Sequence, residues 1–194
     1  MNTETSTEII RATGRALCEH GYANLTMQRI AEESSMTTAA IHYHFDTKEE
    51  LLNALLDDVV DDFEERLACD GGDPRERLAA FLDAVFTPSI DRADEFPVAI
   101  MELKSQAPYH ETYRKRFIEL DEAMRAVVAT IVRDGIADGH FDDADPDEVA
   151  RTVSTIFNGG HVRKVALGEG HEETRRAVER YLELRLAWTP EVAA

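Results

Sequence analysis

Apolar residues recur along the chain at the three- and four-residue spacing that places them on one face of a helix. The longest run has apolar side chains at Tyr113, Phe117, Leu120, Met124, Val127, Val128, Ile131 and Val132. No segment alternates apolar and polar residues as a half-buried strand does. The six prolines and ten glycines lie mostly where such runs begin or end. The pattern therefore predicts an all-α protein.

Capping residues divide this pattern into nine predicted helices. Thr5-x-x-Glu8 and Thr47-x-x-Glu50 are capping boxes, and Asp145-Pro146 places a proline in a first helical turn. The helices are predicted to begin near residues 5, 26, 38, 47, 73, 96, 111, 145 and 171. The third is predicted to run over 38–45, and the seventh over 111–138.

The formal net charge is −18, from 39 acidic and 21 basic residues, and only four of the basic residues are lysines. Taken alone, this charge argues against a nucleic-acid partner, since DNA-binding domains usually carry a basic surface. The acidic excess is spread along the whole chain rather than gathered in a tail. Such a surface keeps proteins soluble in concentrated salt, so we expect a salt-loving source.

Several functional classes find no support in the sequence. No apolar run is long enough to span a membrane, and the N-terminus lacks the features of a signal peptide, so we expect a cytoplasmic protein. Cys18 and Cys69 are far apart and are expected to be thiols rather than a disulfide or a metal site. Glycine-rich phosphate loops and nucleophile motifs are missing, which predicts no enzyme, no cofactor and no metal.

The segment from Tyr22 to Leu51 carries the most specific pattern. Two short predicted helices, 26–33 and 38–45, flank a turn at Ser34-Ser35-Met36. In the second helix the apolar residues fall on one face, and hydroxyl, imidazole and aromatic side chains fall on the other. Such a helix suits the major groove of DNA, with its first residues near base edges and phosphates. The segment is predicted to be a helix-turn-helix.

This segment resembles the signature of the TetR family of transcriptional regulators. The matching stretches are Gly21-Tyr22, Thr26-Met-Gln-Arg-Ile-Ala31, Met36-Thr-Thr-Ala-Ala-Ile-His-Tyr-His-Phe45 and Lys48-Glu-Glu-Leu51, in the spacing of the family and without a gap. The resemblance implies a TetR-like fold with a three-helix DNA-binding head in residues 1–50. Residues 51–194 would form a six-helix bundle for effector binding and dimerisation.

The resemblance also assigns roles by position. Thr26 would cap its helix and touch phosphate, the start of the second short helix would face the major groove, and Lys48 would neutralise a phosphate. Ser35 stands where the family usually has glycine, so the tight turn must form without it. The predicted DNA contacts are Thr26, Arg29, Thr37, Thr38, Ala40, His42, Tyr43, His44 and Lys48.

The remaining helices are predicted to bind an effector and a second subunit. Their apolar stripes are mostly core, but a cavity between bundle helices is a usual ligand site. The candidate ligand contacts, for a small apolar or amphipathic effector, are Phe86, Met101, Phe117, Met124, Phe157 and His161. The last two helices are more apolar than one core face requires, which predicts a homodimer that pairs them as a four-helix bundle.

The sequence thus indicates a ligand-responsive repressor. Its dimer would bind a palindromic operator in double-stranded DNA, and an effector would shift it to a state that does not fit the operator. The alternative is a helical module that binds a small molecule or a protein and has no DNA target. Substitution of Thr38 and Tyr43 distinguishes the two, because only the first function depends on these side chains.

Overall fold

A computed structural model describes residues 2–67, 72–86 and 96–189, and over these ranges the chain is helical with no β-strand. The described α-helices are α1 (Asn2–His20), α2 (Met27–Ser34), α3 (Thr38–His42), α4 (Lys48–Leu67), α5 (Pro74–Phe86), α6 (Phe96–Gln106), α7 (Glu111–Ala137), α8 (Pro146–Leu167) and α9 (His171–Leu186). A short 3-10 helix, Tyr22–Asn24, follows α1. The predicted all-α class is confirmed. Cys18 is half-buried, and Cys69 lies outside the described ranges.

Most predicted helix starts are confirmed by side-chain caps. The Thr26 hydroxyl accepts from the backbone N–H of Arg29 at 3.3 Å before α2, and Thr37 accepts from Ala40 at 3.1 Å before α3. The Asp145 carboxylate accepts from the backbone N–H groups that open α8. Each cap satisfies a donor that the helix itself leaves unpaired. These starts could be predicted because caps are local features of the sequence.

Two predicted boundaries are wrong. Helix α1 begins at Asn2 rather than at Thr5, and Glu8 pairs with Arg15 at 2.7 Å instead of closing a capping box. No proline or glycine interrupts residues 2–4, so the helical hydrogen bonds extend upstream of the predicted cap. Helix α3 ends at His42 because the backbone N–H groups of His44 and Phe45 both bond to the Ile41 carbonyl, which tightens the chain into a turn.

The helices form two compact units, with boundaries that fall inside α4 and α7. The first unit comprises Met1–Asp62 and Ile90–Ile118, and the second comprises Phe63–Ser89 and Glu119–Ala194. The buried core of the first unit is built mainly from Ile9, Ala16, Leu17, Ile30, Ile41, Leu51, Leu52, Leu56, Leu103 and Tyr113. The core of the second unit is built mainly from Leu78, Phe81, Leu82, Val128, Val132, Val149, Val153, Val178, Leu182 and Trp188.

Two helices end on residues that adopt the left-handed conformation without being glycine. Ser35 closes α2 with φ 55°, and Ala187 closes α9 with φ 54°. A Cβ atom is disfavoured in this region by about 1–2 kcal/mol. Ser35 therefore makes the turn that the resemblance assigns to glycine, at a cost in stability.

Ser35→Gly and Ala187→Gly are each expected to raise the free energy of unfolding by about 0.5–1 kcal/mol, because glycine relieves this strain but gains entropy in the unfolded chain. Urea denaturation measures the change. The control is Ala126→Gly, in the exposed middle of α7, which should lower stability by about 1 kcal/mol. If the first two variants lost stability as the control does, the strain argument would be wrong.

Candidate nucleic-acid interface

The exposed face of α3 rests on a buried anchor. Ile41 is fully buried in the core of the first unit, and Ile30 and Ala31 of α2 are buried beside it in the same core. On the other face of α3, Ala40 and His42 are exposed, and the following residue, Tyr43, keeps 79% of its surface in solvent. A rigidly supported helix end that holds an aromatic ring in solvent can enter a groove without refolding.

The start of α4 supplies a positive charge in the same unit as α3. Lys48 is the first residue of α4, and its Nζ lies 4.8 Å from the centroid of the Tyr22 ring. A cation–π contact of this kind restrains the ammonium group at the helix N-terminus. Backbone N–H groups at a helix start and an ammonium group both favour a phosphate anion.

Tyr22 links the 3-10 helix to α6 and to the α6–α7 connection. Its backbone N–H donates to Glu102 Oε2 at 2.5 Å, and its hydroxyl lies 3.4 Å from His110 Nε2. Burial, with a further contribution from the charge of Glu49, raises the pKa of the Tyr22 phenol above its ordinary value. Gly21 has φ 72°, and the Glu102 carboxylate oxygens lie 3.1 Å from where a Cβ at Gly21 would be.

His44 is held from the side of α1. Ser6 Oγ of α1 lies 3.2 Å from His44 Nδ1, and the Tyr43 and His44 rings meet edge-on with centroids 5.2 Å apart. The sequence did not reveal the Ser6 contact, because 38 residues separate the partners and Ser6 lies outside the matched motif. The contact of Glu102 with Tyr22 was missed for the same reason.

The nine predicted DNA contacts all lie on α2, α3, the residues that flank these two helices, or the start of α4, within the first unit. Thr26, Thr37, Ala40, His42 and Tyr43 are exposed, and Arg29, Thr38, His44 and Lys48 are half-buried. The guanidinium of Arg29 donates to the Asn24 carbonyl at 2.9 Å and so braces the 3-10 helix.

The predicted effector contacts are divided between the units. Phe86 and Met124 are buried in the second unit, where the rings of Phe86 and Phe157 meet edge-on at 5.8 Å. His161 is half-buried in α8 of the same unit. Met101 of α6 and Phe117 of α7 belong to the first unit, and Phe117 packs against its core.

Neither a metal site nor a membrane-spanning helix occurs in the part of the chain that the structure describes. There, no three histidine, cysteine or acidic side chains converge in a way that could hold a metal ion. No helix within the described ranges combines the length and the apolar composition needed to cross a bilayer.

Two family models match the chain. Residues 9–55 match the model of bacterial regulatory proteins of the tetR family, and residues 74–187, more than half of the chain, match the C-terminal domain of BetI-type transcriptional repressors. The chain belongs to the TetR family. TetR-family proteins are DNA-binding transcription factors and not enzymes, and the predicted family and TetR-like fold are thereby confirmed.

Individual relatives agree with this TetR assignment. A TetR transcription regulator from Haloarcula marismortui is 37% identical, with a TM-score of 0.87 over 95% of this chain and 99% of that chain. A transcriptional regulator from Saccharomonospora viridis, solved in complex with choline, has the same fold at 22% identity, with a TM-score of 0.84 over 95% of this chain and 98% of that chain. The regulator TtgR of Pseudomonas putida is 46% identical over 54 residues, which are 28% of this chain and 26% of TtgR. The TtgR match therefore spans about a quarter of that curated relative.

Proposed function

We propose that this TetR-family regulator is a repressor whose dimer binds a palindromic operator through α3 and is released by a small effector. The proposal rests on the contrast between the two sides of α3. Ile41 is buried in the core, whereas Tyr43, the residue after the helix, keeps 79% of its surface exposed. The alternative, a helical module without a DNA target, gives no reason for this combination of a supported helix and solvent-exposed aromatic and hydroxyl side chains.

The DNA contacts divide into two kinds. Thr26, at the start of α2, and Lys48, at the start of α4, would bind phosphates and so set the position of the protein on the duplex. Thr37, Thr38 and Ala40 would face base edges in the major groove, with hydroxyls to hydrogen-bond and a methyl group to contact thymine. The contacts proposed beside them are Arg29, His42, Tyr43 and His44.

The functional division that we propose places DNA binding in residues 1–50 and effector binding and dimerisation in residues 51–194. The compact units divide differently, because α6 and the first two turns of α7 pack with the first 62 residues. By function, residues 90–118 would then belong to the effector-binding domain, whereas by packing they belong to the first unit. A ligand contact in this segment would act directly on the unit that holds α3.

A second copy of the chain is the partner that we propose for the last two helices. Thr155, Gly159, Val162 and Ala166 are all exposed and follow one another at four- and three-residue spacing along one face of α8. On α9, Leu184 keeps 71% of its surface exposed. Exposed small and aliphatic residues of this kind on a helix hairpin suit a twofold pairing, in which each copy covers the same patch of the other.

Val162→Asp and Leu184→Asp together are expected to convert the dimer to a monomer, because an unpaired carboxylate is costly to bury in an interface. The dimer dissociation constant should rise at least about tenfold, which corresponds to about 1.4 kcal/mol, and sedimentation velocity measures it. Ile118→Asp is the matched control, since Ile118 is an exposed aliphatic side chain on α7. A variant that stays dimeric, or a wild-type monomer, would contradict the proposal.

The effector that we propose is a small apolar or amphipathic molecule. The candidate ligand contacts are Phe86, Met124, Phe157 and His161 in the second unit and Met101 and Phe117 in the first unit. Choline, which the Saccharomonospora viridis relative binds, belongs in the first panel of compounds. An effector would raise the melting temperature of the protein and weaken its binding to DNA. A compound that did only the first would be a ligand but not an effector.

We propose that the protein performs this function in the cytoplasm and at high salt concentration. The net charge of −18 supports the second condition, since an acidic surface resists aggregation in concentrated salt. Phosphate contacts weaken as salt is added, so binding would depend more on hydrogen bonds and methyl contacts. DNA binding is therefore best measured in molar KCl.

A further inference from the structure

We propose that Ser6 is a positioning residue for DNA binding, whose hydroxyl holds the His44 imidazole so that its Nε2–H can donate to a DNA phosphate. The inference rests on the proposed function, and it adds a residue of α1 to the DNA-binding machinery. Neither the helix-turn-helix segment nor the residues that carry the family resemblance include Ser6.

The geometry restrains the imidazole on two sides. Ser6 Oγ is 3.2 Å from Nδ1, which is hydrogen-bonding distance, and the contact joins α1 to the turn that follows α3. The Tyr43 ring meets the imidazole edge-on, with an angle of 83° between the ring planes. His44 is half-buried, so part of the residue remains accessible to a ligand. With Nδ1 occupied, Nε2 is the only ring nitrogen left to contact a ligand.

In a neutral imidazole the two ring nitrogens have different hydrogen-bonding roles. One ring nitrogen carries the proton and donates, and the other accepts. A phosphate oxygen only accepts, so His44 can bind it only through a nitrogen that carries a proton. A hydroxyl can donate or accept, and in the proposed arrangement the Ser6 hydroxyl donates to Nδ1, which leaves the proton on Nε2, where it can be donated to phosphate. In that arrangement Ser6 holds the orientation of the ring, and the phosphate, which only accepts, favours the same tautomer.

Removal of the hydroxyl should weaken DNA binding through His44 and by no other route. In full-length protein we expect Ser6→Ala to raise the dissociation constant about three- to tenfold, the range for one hydrogen bond. The probe is a labelled duplex from the region upstream of the gene, measured by fluorescence anisotropy. Ser6→Thr keeps a hydroxyl and should stay within about twofold of wild type. Thr7→Ala, which removes the neighbouring hydroxyl of α1, should have no effect.

A double-mutant cycle separates positioning from a general effect on folding. In a His44→Ala background, Ser6→Ala should cause no further loss of affinity, because the ring that it positions is gone. Nitrogen-15 NMR of the wild-type histidines should show His44 with its proton on Nε2, and Ser6→Ala should shift that signal towards a mixture of tautomers. These two measurements are unaffected if Ser6 merely stabilises α1.

Three results would overturn the inference. They are wild-type affinity in Ser6→Ala, an equal loss in the presence and absence of His44, and a His44 proton found on Nδ1. If Thr38→Ala/Tyr43→Ala lost binding while Ser6→Ala did not, the inference would fail and the proposed function would stand. If the wild-type protein bound no DNA, both would fail.

Discussion

Gly160→Ala is expected to lower the free energy of unfolding by about 1–3 kcal/mol, the usual effect of overpacking a buried site. Gly160 is buried on α8, and a Cβ placed there would lie 2.7 Å from the Cβ of Thr174 and closer still to its methyl and hydroxyl groups. Thr174 is itself buried on α9, and its β-branched side chain has few alternative rotamers. Alanine at position 160 therefore forces the two helices apart.

The adjacent residue provides a matched control for this prediction. Gly159 is exposed on the same helix, and a Cβ there would have no neighbour within 4 Å. Measured, like Gly160→Ala, in the Val162→Asp/Leu184→Asp background so that dimerisation does not contribute, Gly159→Ala should raise stability by about 1 kcal/mol through helix propensity alone. Urea denaturation of the two variants gives changes of opposite sign if α8 and α9 approach as described. Equal stabilisation by both would show that the close contact does not exist.

Thr38→Ala combined with Tyr43→Ala is expected to weaken operator binding about 100-fold, because two contacts of about 1–2 kcal/mol each are lost. The free energy of unfolding should change little, since neither side chain belongs to the buried core: Thr38 is half-buried and Tyr43 is exposed. The proposed function places the two side chains on the surface that enters the groove. Fluorescence anisotropy with an operator duplex measures the loss.

A second exposed tyrosine of the same unit supplies the control for this variant. Tyr109 keeps 82% of its surface in solvent on the connection between α6 and α7. Tyr109→Ala removes the same side chain from a surface to which we assign no DNA contact, so operator affinity should be unchanged. If Tyr109→Ala weakened binding and the double variant did not, the DNA interface would have been assigned to the wrong surface.

Local signals predicted the part of the fold that places α3. The caps at Thr26 and Thr37 each bond to the backbone three positions on, and the buried Ile30 and Ile41 each lie four positions after their cap. Their physical basis is contained within one helical turn, so a single sequence reveals it. Ser35 was expected to form its turn without glycine, and its φ of 55° shows how it does so.

Contacts between distant segments could not be predicted in this way. The contact of Ser6 with His44 and that of Glu102 with Tyr22 depend on how α1 and α6 pack, and no periodic pattern encodes such pairs. The grouping of residues 90–118 with the first unit is of the same kind, since apolar periodicity shows that a helix buries a face but not against which helix.

Footprinting of the purified protein on the region upstream of its own gene would show whether α3 binds an operator. In molar KCl, we predict protection of a palindrome whose half-site centres lie about one helical turn, roughly 10 base pairs, or a multiple of that distance apart. The Tyr43→Ala variant should lose this protection. If a protein shown to be folded gave no specific protection at any salt concentration, operator binding through α3 would be contradicted.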